Sequence, residues 1–317
     1  MCFSVLLSWR SYFLGDLTGG ISGPPRSMRL FYLTSLTMIA FAGNSVLNRL
    51  AVGSGSIAPI DFALLRLVAG AVTLGVLLAL NGKLRLTGYN GPGRTIGLTE
   101  MTVPIAGLLA YLFGFSLAYL GLDAGSGALI LFGVVQVTMF AGALFSREHL
   151  PSRRWVGASL AFGGLTVMLW PTESASVTVI PALWMVLAGI GWGVYSLAGT
   201  RESDPLFATG RNFILGLLPA LTIMVWFTDF ATASIKGVIL AILSGAVTSG
   251  LGYALWYQVL PGLGPSRAAI AQLSVPVIAA LLGAALLAEP IGTRSVLAAV
   301  LVFSGVAVAS LGPARRP

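Results

Sequence analysis

Ten stretches of nearly unbroken apolar side chains divide this chain, at 30–50, 60–80, 100–120, 125–146, 154–170, 179–199, 209–228, 236–258, 267–287 and 293–311. A helix rises about 1.5 Å per residue, so roughly 20 residues cross about 30 Å of hydrocarbon. The runs are continuous, which predicts helices and excludes the alternating ten-residue strands of an outer-membrane barrel. The connections between them are short and leave no room for a soluble domain. Residues 1–28 are the least membrane-like part: MCFSVLLSW is too short to span and lacks the basic start of a signal peptide. They read as a flexible extension, with Met28, directly before the first span, as an alternative start.

Composition agrees with the pattern. A chain of 317 residues that is 56% hydrophobic and 9% charged, with a mean hydropathy of +0.92, carries more apolar surface than a water-soluble core can hide. The single Cys2 and the single His149 exclude a disulfide framework and a Cys/His metal cluster within one chain, so neither a metal nor a cofactor is expected. Net charge is +8, but the basic residues are scattered over short loops rather than gathered in a stripe, which excludes a nucleic-acid partner. With the N-terminus inside, Arg49, Arg66, Lys236 and Arg294 fall toward the outer side and the other fourteen of the eighteen Lys and Arg toward the cytoplasm, Arg211 among them. That is the positive-inside distribution, and it predicts cytoplasmic termini in a multi-pass protein of the cell inner (plasma) membrane.

The second half of the chain rewrites the first. Aligned without a gap, 121–169 and 262–310 share 13 identities in 49 positions, among them Gly142 with Gly283, Glu148 with Glu289, Arg153 with Arg294 and Phe162 with Phe303. Upstream at the same offset Phe115 falls on Trp256 and Leu112 on Tyr253, so spans 3–5 correspond to spans 8–10. Five is odd, so the second copy enters the membrane from the opposite side. The fold class predicted is therefore an all-α polytopic membrane protein of ten transmembrane helices in two inverted five-helix repeats, 29–173 and 174–312, with a tail at 313–317. Inverted repeats suit secondary transport, because two similar halves that exchange conformations turn an outward-open cavity into an inward-open one.

The ten-span layout, the opening FAGNSVLNRLA, the ALLRLVAG of span 2 and the paired endings LFSREHL and LLAEPIG resemble the EamA-type members of the drug/metabolite transporter superfamily. The resemblance covers about residues 30–311, and within that family the sequence is similar to amino-acid and metabolite exporters, including aromatic amino-acid exporters of the YddG type. It implies a basket in which spans 1–4 and 6–9 surround a central cavity and spans 5 and 10 pack at the periphery. The small multidrug relatives of that superfamily rely on an acidic residue within their first span. Span 1 here has none, which argues against a cationic-drug antiporter.

Candidate cavity residues are the polar and aromatic groups at membrane depth. Asn44 and Asn48 lie four apart on one face of span 1 with Thr37 and Phe41. In hydrocarbon such groups serve equally as substrate ligands and as bonds between helices. Gln136 in span 4 and Gln272 in span 9 pose the same choice. Tyr111, Trp192, Tyr195 and Tyr253 offer apolar faces with a polar handle, suited to a small amphipathic solute. Trp256 and Tyr257 lie nearer a predicted interface, and an aromatic belt suits at least one of them. Pro276, near the centre of span 9, is a candidate hinge because its ring and missing amide kink a helix. Arg66 is the deepest charge, roughly 9 Å into span 2 at about 1.5 Å per residue; it either snorkels outward, pairs with Asp61 or meets an anionic substrate. Glu148 and Glu289 read as helix-end residues outside the cavity, and the small residues of 244–252 as a close helix contact.

A secondary exporter of small metabolites, amino acids foremost, working by alternating access, fits these features. The alternatives within transport are a nucleotide-sugar or sugar-phosphate exchanger, which calls for more cavity cations than Arg66, and a drug efflux protein. NGKL at 81–84 lacks the flanking residues of a Walker A loop, and no HExxH, paired intramembrane aspartates or buried Ser/His set points to an enzyme. The partners implied are a small-molecule substrate and the lipid bilayer; a monomer suffices.

Overall fold

Apolar runs of this length leave every backbone polar group to be satisfied within its own segment, and helices do so. The computed structural model describes residues 26–82, 98–145, 152–170, 179–199, 202, 204–228, 230–256, 258–259 and 271–310. In chain order the helices are α1 (Arg26–Val52), α2 (Pro59–Leu80), α3 (Leu98–Ala118), α4 (Ala124–Phe145), α5 (Ser152–Leu169), α6 (Val179–Gly199), α7 (Pro205–Phe227), α8 (Ile235–Leu243), α9 (Ser274–Leu287) and α10 (Thr293–Ser310). α8 runs on through a π-helical stretch, Ser244–Leu251, as one apolar segment to Trp256. No strand occurs among the described residues. Seven segments, α1–α4, α6, α7 and α8 with its extension, are long and apolar enough to cross a bilayer; α5, α9 and α10 include shorter apolar stretches. This is a polytopic membrane protein. Its outer surface bears large apolar side chains such as Val72, Leu80, Phe162, Val225 and Trp226, which only lipid solvates well.

Glycine sets how closely the helices approach. A Cβ on Gly107 of α3 would lie 2.8 Å from the Gly191 carbonyl of α6, and one on Gly191 would lie 2.6 Å from the Gly107 carbonyl, so the two backbones touch. Gly305 of α10 presses in the same way on the Gly157 carbonyl of α5, at 2.5 Å. α2 is held between α7 and α8, α4 between α6 and α9, and α1 against α8 and α9. Several connections share one face of the molecule. The Ser234 hydroxyl and amide both donate to the Ser56 carbonyl, joining the α1–α2 and α7–α8 loops. Arg294, at the start of α10, donates to the carbonyls of Val167 (2.6 Å) and Trp170 at the end of α5.

Pro276 is the third residue of α9; Ala271 and Gln272 before it are also helical and Leu273, between them and α9, keeps right-handed helical dihedrals, so the helix is interrupted for one residue in the turn where the proline lacks its amide. Arg211, near the start of its predicted span 209–228 and counted toward the cytoplasm, lies deeper within α7 and is buried, because α7 starts at Pro205. The predicted extension up to residue 25, the tail, Cys2, Glu148, His149 and Tyr257 fall outside the described residues.

Candidate functional site

Thr37, Phe41, Asn44 and Asn48 share one face of α1, and the fold buries all four. Facing them is the π-helical stretch of α8. Its wider turn, built from small residues and closed by the Thr248 hydroxyl on the Ser244 carbonyl at 2.9 Å, brings three hydroxyls toward α1 and α2. The Asn44 carbonyl oxygen accepts from Ser244 Oγ at 2.6 Å and from Thr248 Oγ1 at 3.1 Å. Its amide donates to the Tyr111 hydroxyl of α3 at 3.2 Å. One turn along α1, the Asn48 amide donates to Ser116 Oγ at 3.0 Å, while Asn48 Oδ1 is buried without a hydrogen-bond partner.

Arg66 enters this cluster from α2. It does not snorkel and does not pair with Asp61: it is 0% exposed, and Gly245 of α8 packs directly on its backbone carbonyl. Nε donates to Ser249 Oγ at 3.0 Å and Nη2 to the Tyr111 hydroxyl at 2.8 Å. The guanidinium carbon lies 4.9 Å from the centroid of the Tyr111 ring and 5.1 Å from that of Phe115, a cation-π cage. Nη1 is buried and has no partner. Its neighbours are neutral hydroxyls and rings, and no carboxylate among the described residues stands within ion-pair reach. A buried cation so placed is short of one anionic acceptor.

Aromatic rings fill the space beside it. Trp192 of α6 meets Tyr111 at 4.9 Å and Tyr253 at 5.1 Å between centroids, and stacks on Tyr195 at 5.4 Å and 29°. Phe41 packs edge-on against Tyr253 and Trp256. Trp256 is therefore buried in this cluster. The sequence candidates Asn44, Asn48, Arg66, Tyr111, Trp192, Tyr195 and Tyr253 come together, each less than 10% exposed, so the site is closed in this conformation. Gln136 and Gln272 are half-buried and form no hydrogen bond with it. Ser116, Ser244, Thr248 and Ser249 belong to the site and were not singled out from sequence; the run SGAVTS was the available signal.

A second polar network closes one end. Glu289, just past α9, accepts from Arg49 Nε of α1 at 2.9 Å and from the backbone amide of Ala124, the first residue of α4, at 2.8 Å. Arg49 also lies 3.6 Å from Asp123 and donates to the Tyr119 carbonyl at 3.1 Å. Gly283 leaves the room: a Cβ there would stand 2.5 Å from Glu289 Oε2. The repeated Gly and Glu of the two halves thus gain a reason in this half, a carboxylate seated over a glycine to cap α4. Below it an apolar crevice of about 280 Å³ opens between α4, α9 and α10, with Pro276, Leu281 and Phe303 in its walls. Among the described residues no group of His, Cys, Asp and Glu could hold a metal ion.

Comparison with known proteins decides the family. Residues 179–311 match the model of the EamA-like transporter family. A protein of Pseudomonas aeruginosa, itself uncharacterised, is 43% identical over 280 residues, 88% of this chain and 94% of that one. The chain belongs to the EamA-like transporter family. As an EamA-type transporter it is also similar to a probable amino-acid metabolite efflux pump of Salmonella typhimurium, 25% identical over 295 residues, 89% of this chain and 94% of the pump. The transporter YoaV of Bacillus subtilis, uncharacterised in substrate, is 23% identical over 84% of this chain and 91% of its own length. One solved crystal structure superposes with a TM-score of 0.58 at 18% identity, over 87% of this chain and 98% of the other, which speaks to the fold alone.

Proposed function

We propose that this EamA-type transporter exports small carboxylate-bearing metabolites, amino acids and aromatic ones among them, across the cell inner membrane by alternating access. The observation that carries the reading is Arg66, buried in an aromatic cage with Nη1 unsatisfied and only neutral partners. A substrate carboxylate supplies the missing acceptor, the rings of Tyr111, Trp192 and Tyr253 take an apolar or aromatic side chain, and Asn48 Oδ1 accepts from an ammonium. The similarity to an amino-acid metabolite efflux pump points the same way.

Ten crossings in two inverted repeats, 29–173 and 174–312, with both termini cytoplasmic, supply the mechanism. In support, α5 and α10 at 18 residues each reach about 27 Å at about 1.5 Å per residue. The pairing of helices also persists when each of α1–α5 is exchanged with its counterpart in α6–α10: α3 on α6 answers α8 on α1, α4 on α6 answers α9 on α1, and α5 on α10, α2 on α7 and α4 on α9 answer themselves. The family match over 179–311 coincides with one such half.

Uptake of labelled amino acids, L-phenylalanine among them, into proteoliposomes tests the reading, with and without a proton gradient. Wild-type protein is expected to carry at least one, and Arg66→Gln to lose at least tenfold in kcat/KM while keeping its melting temperature within a few degrees. Unimpaired transport by Arg66→Gln refutes the carboxylate assignment.

A further inference from the structure

α7 repeats the device of α2. Each helix opens on a proline, Pro59 and Pro205, and each buries an arginine about two turns on, Arg66 and Arg211, 0% and 3% exposed. The helices pack antiparallel: Gly70 of α2 lies under the Phe213 ring, while Gly210 of α7 lies against Leu74 and Leu78. Arg211 is therefore displaced from Arg66 by eight or more residues of α2, roughly 12 Å along the axis at about 1.5 Å per residue.

Arg211 is under-satisfied in a different way. Nη2 donates to Glu202 at 2.8 Å, but Nε and Nη1 are buried with no partner, and so is the carbonyl oxygen of the adjacent Asn212. A guanidinium has five N–H donors, and one carboxylate oxygen does not exhaust them. A space of about 10 Å³, of the order of one water, opens among Glu202, Thr209, Asn212 and Tyr195, so it touches the carboxylate that holds Arg211 and the neighbouring Asn212. The Tyr195 hydroxyl donates to Thr209 at 3.0 Å, and its ring stacks on Trp192, which touches the Tyr111 and Tyr253 rings of the Arg66 site. Ring contacts thus run from the Arg66 site as far as Tyr195, whose hydroxyl reaches Thr209 of α7, while the Arg211 guanidinium lies 6.0 Å from the centroid of the Phe207 ring.

We propose that Arg211 is a second anion station, which receives the substrate carboxylate at the end of the molecule where α7 begins, ahead of Arg66. The proposal rests on the carboxylate reading of Arg66. Glu202 holds the station when it is empty and competes with the substrate for Arg211.

Half-saturating concentrations of labelled L-phenylalanine, measured separately from each face of proteoliposomes sorted for one orientation, test it with the full chain. Arg211→Gln is expected to raise the value at least tenfold from the face where α7 begins and less than twofold from the other. Arg66→Gln impairs both faces, and Glu202→Gln, which removes the competitor, lowers the value from the α7 face. If wild-type protein shows no saturable L-phenylalanine transport, or Arg66→Gln is without effect, the reading of the central site falls and the station with it. If Arg66→Gln impairs transport but Arg211→Gln equals wild type at both faces, the station alone is overturned. Equal losses and equal falls in melting temperature for Arg211→Gln and Glu202→Gln assign the pair to the fold and overturn it as well.

Discussion

A single hydroxyl organises the polar centre. Tyr111 OH accepts from Asn44 of α1 and from Arg66 of α2, so three helices meet at one oxygen. Tyr111→Phe keeps the ring and its cation-π contact but leaves two buried donors unanswered, at a cost of about 1–3 kcal/mol for such a group. Thermal unfolding in detergent is expected to show that loss, and transport a raised KM, since the freed guanidinium no longer has a fixed orientation. Asn44 and Asn48 were legible as candidates because i and i+4 share a helix face. Their partners were not, since Ser244 and Thr248 lie 200 or more positions along the chain.

Between elements, the contact that ties most together is Glu289 with Arg49 and the start of α4. It joins α1, α4 and the end of α9. Glu289→Gln keeps an acceptor for the Ala124 amide but weakens the bond to Arg49; Glu289→Ala removes both. Hydrogen bonds to charged groups contribute about 1.5–3 kcal/mol each, so the expected order of melting temperature is wild type, then Gln, then Ala. Gly283→Ala is expected to resemble Glu289→Ala, because the added Cβ displaces the carboxylate, whereas Gly163→Ala, with open space at its Cβ, is the neutral control. A melting temperature for Gly283→Ala equal to wild type refutes the seat. The pairing of Gly142 with Gly283 and Glu148 with Glu289 marked these positions in the sequence, but Arg49 as the partner appears only when α1 is laid against α9.

For the whole molecule, the face that joins Ser56 to Ser234 and Arg49 to Glu289 gathers the α1–α2, α3–α4, α7–α8 and α9–α10 connections. Helices that cross and return bring alternate connections to one side, and the distribution of Lys and Arg predicts that this side is external. In a Cys2→Ser background, Ser54→Cys and Thr232→Cys are expected to react with a membrane-impermeant maleimide in intact cells, and Ala314→Cys only after permeabilisation. Labelling of Ala314→Cys in intact cells, or of only one of the two loop cysteines, breaks the proposed topology.

The sequence by itself determined the solvent, the helices and their approximate ends, because a bilayer imposes length and apolarity on each segment separately. It also gave the family resemblance and seven of the nine candidate cavity residues now found in one cluster. Tertiary structure decided the rest. Arg66 is an unsatisfied cation only because α3 and α8 offer it hydroxyls and rings but no carboxylate; Arg211 is buried because α7 begins at Pro205 and packs along α2; and Trp256 joins the ring cluster because α1 brings Phe41 against it. Each of these turns on which side chain another helix presents across the gap, and local hydropathy holds no record of that.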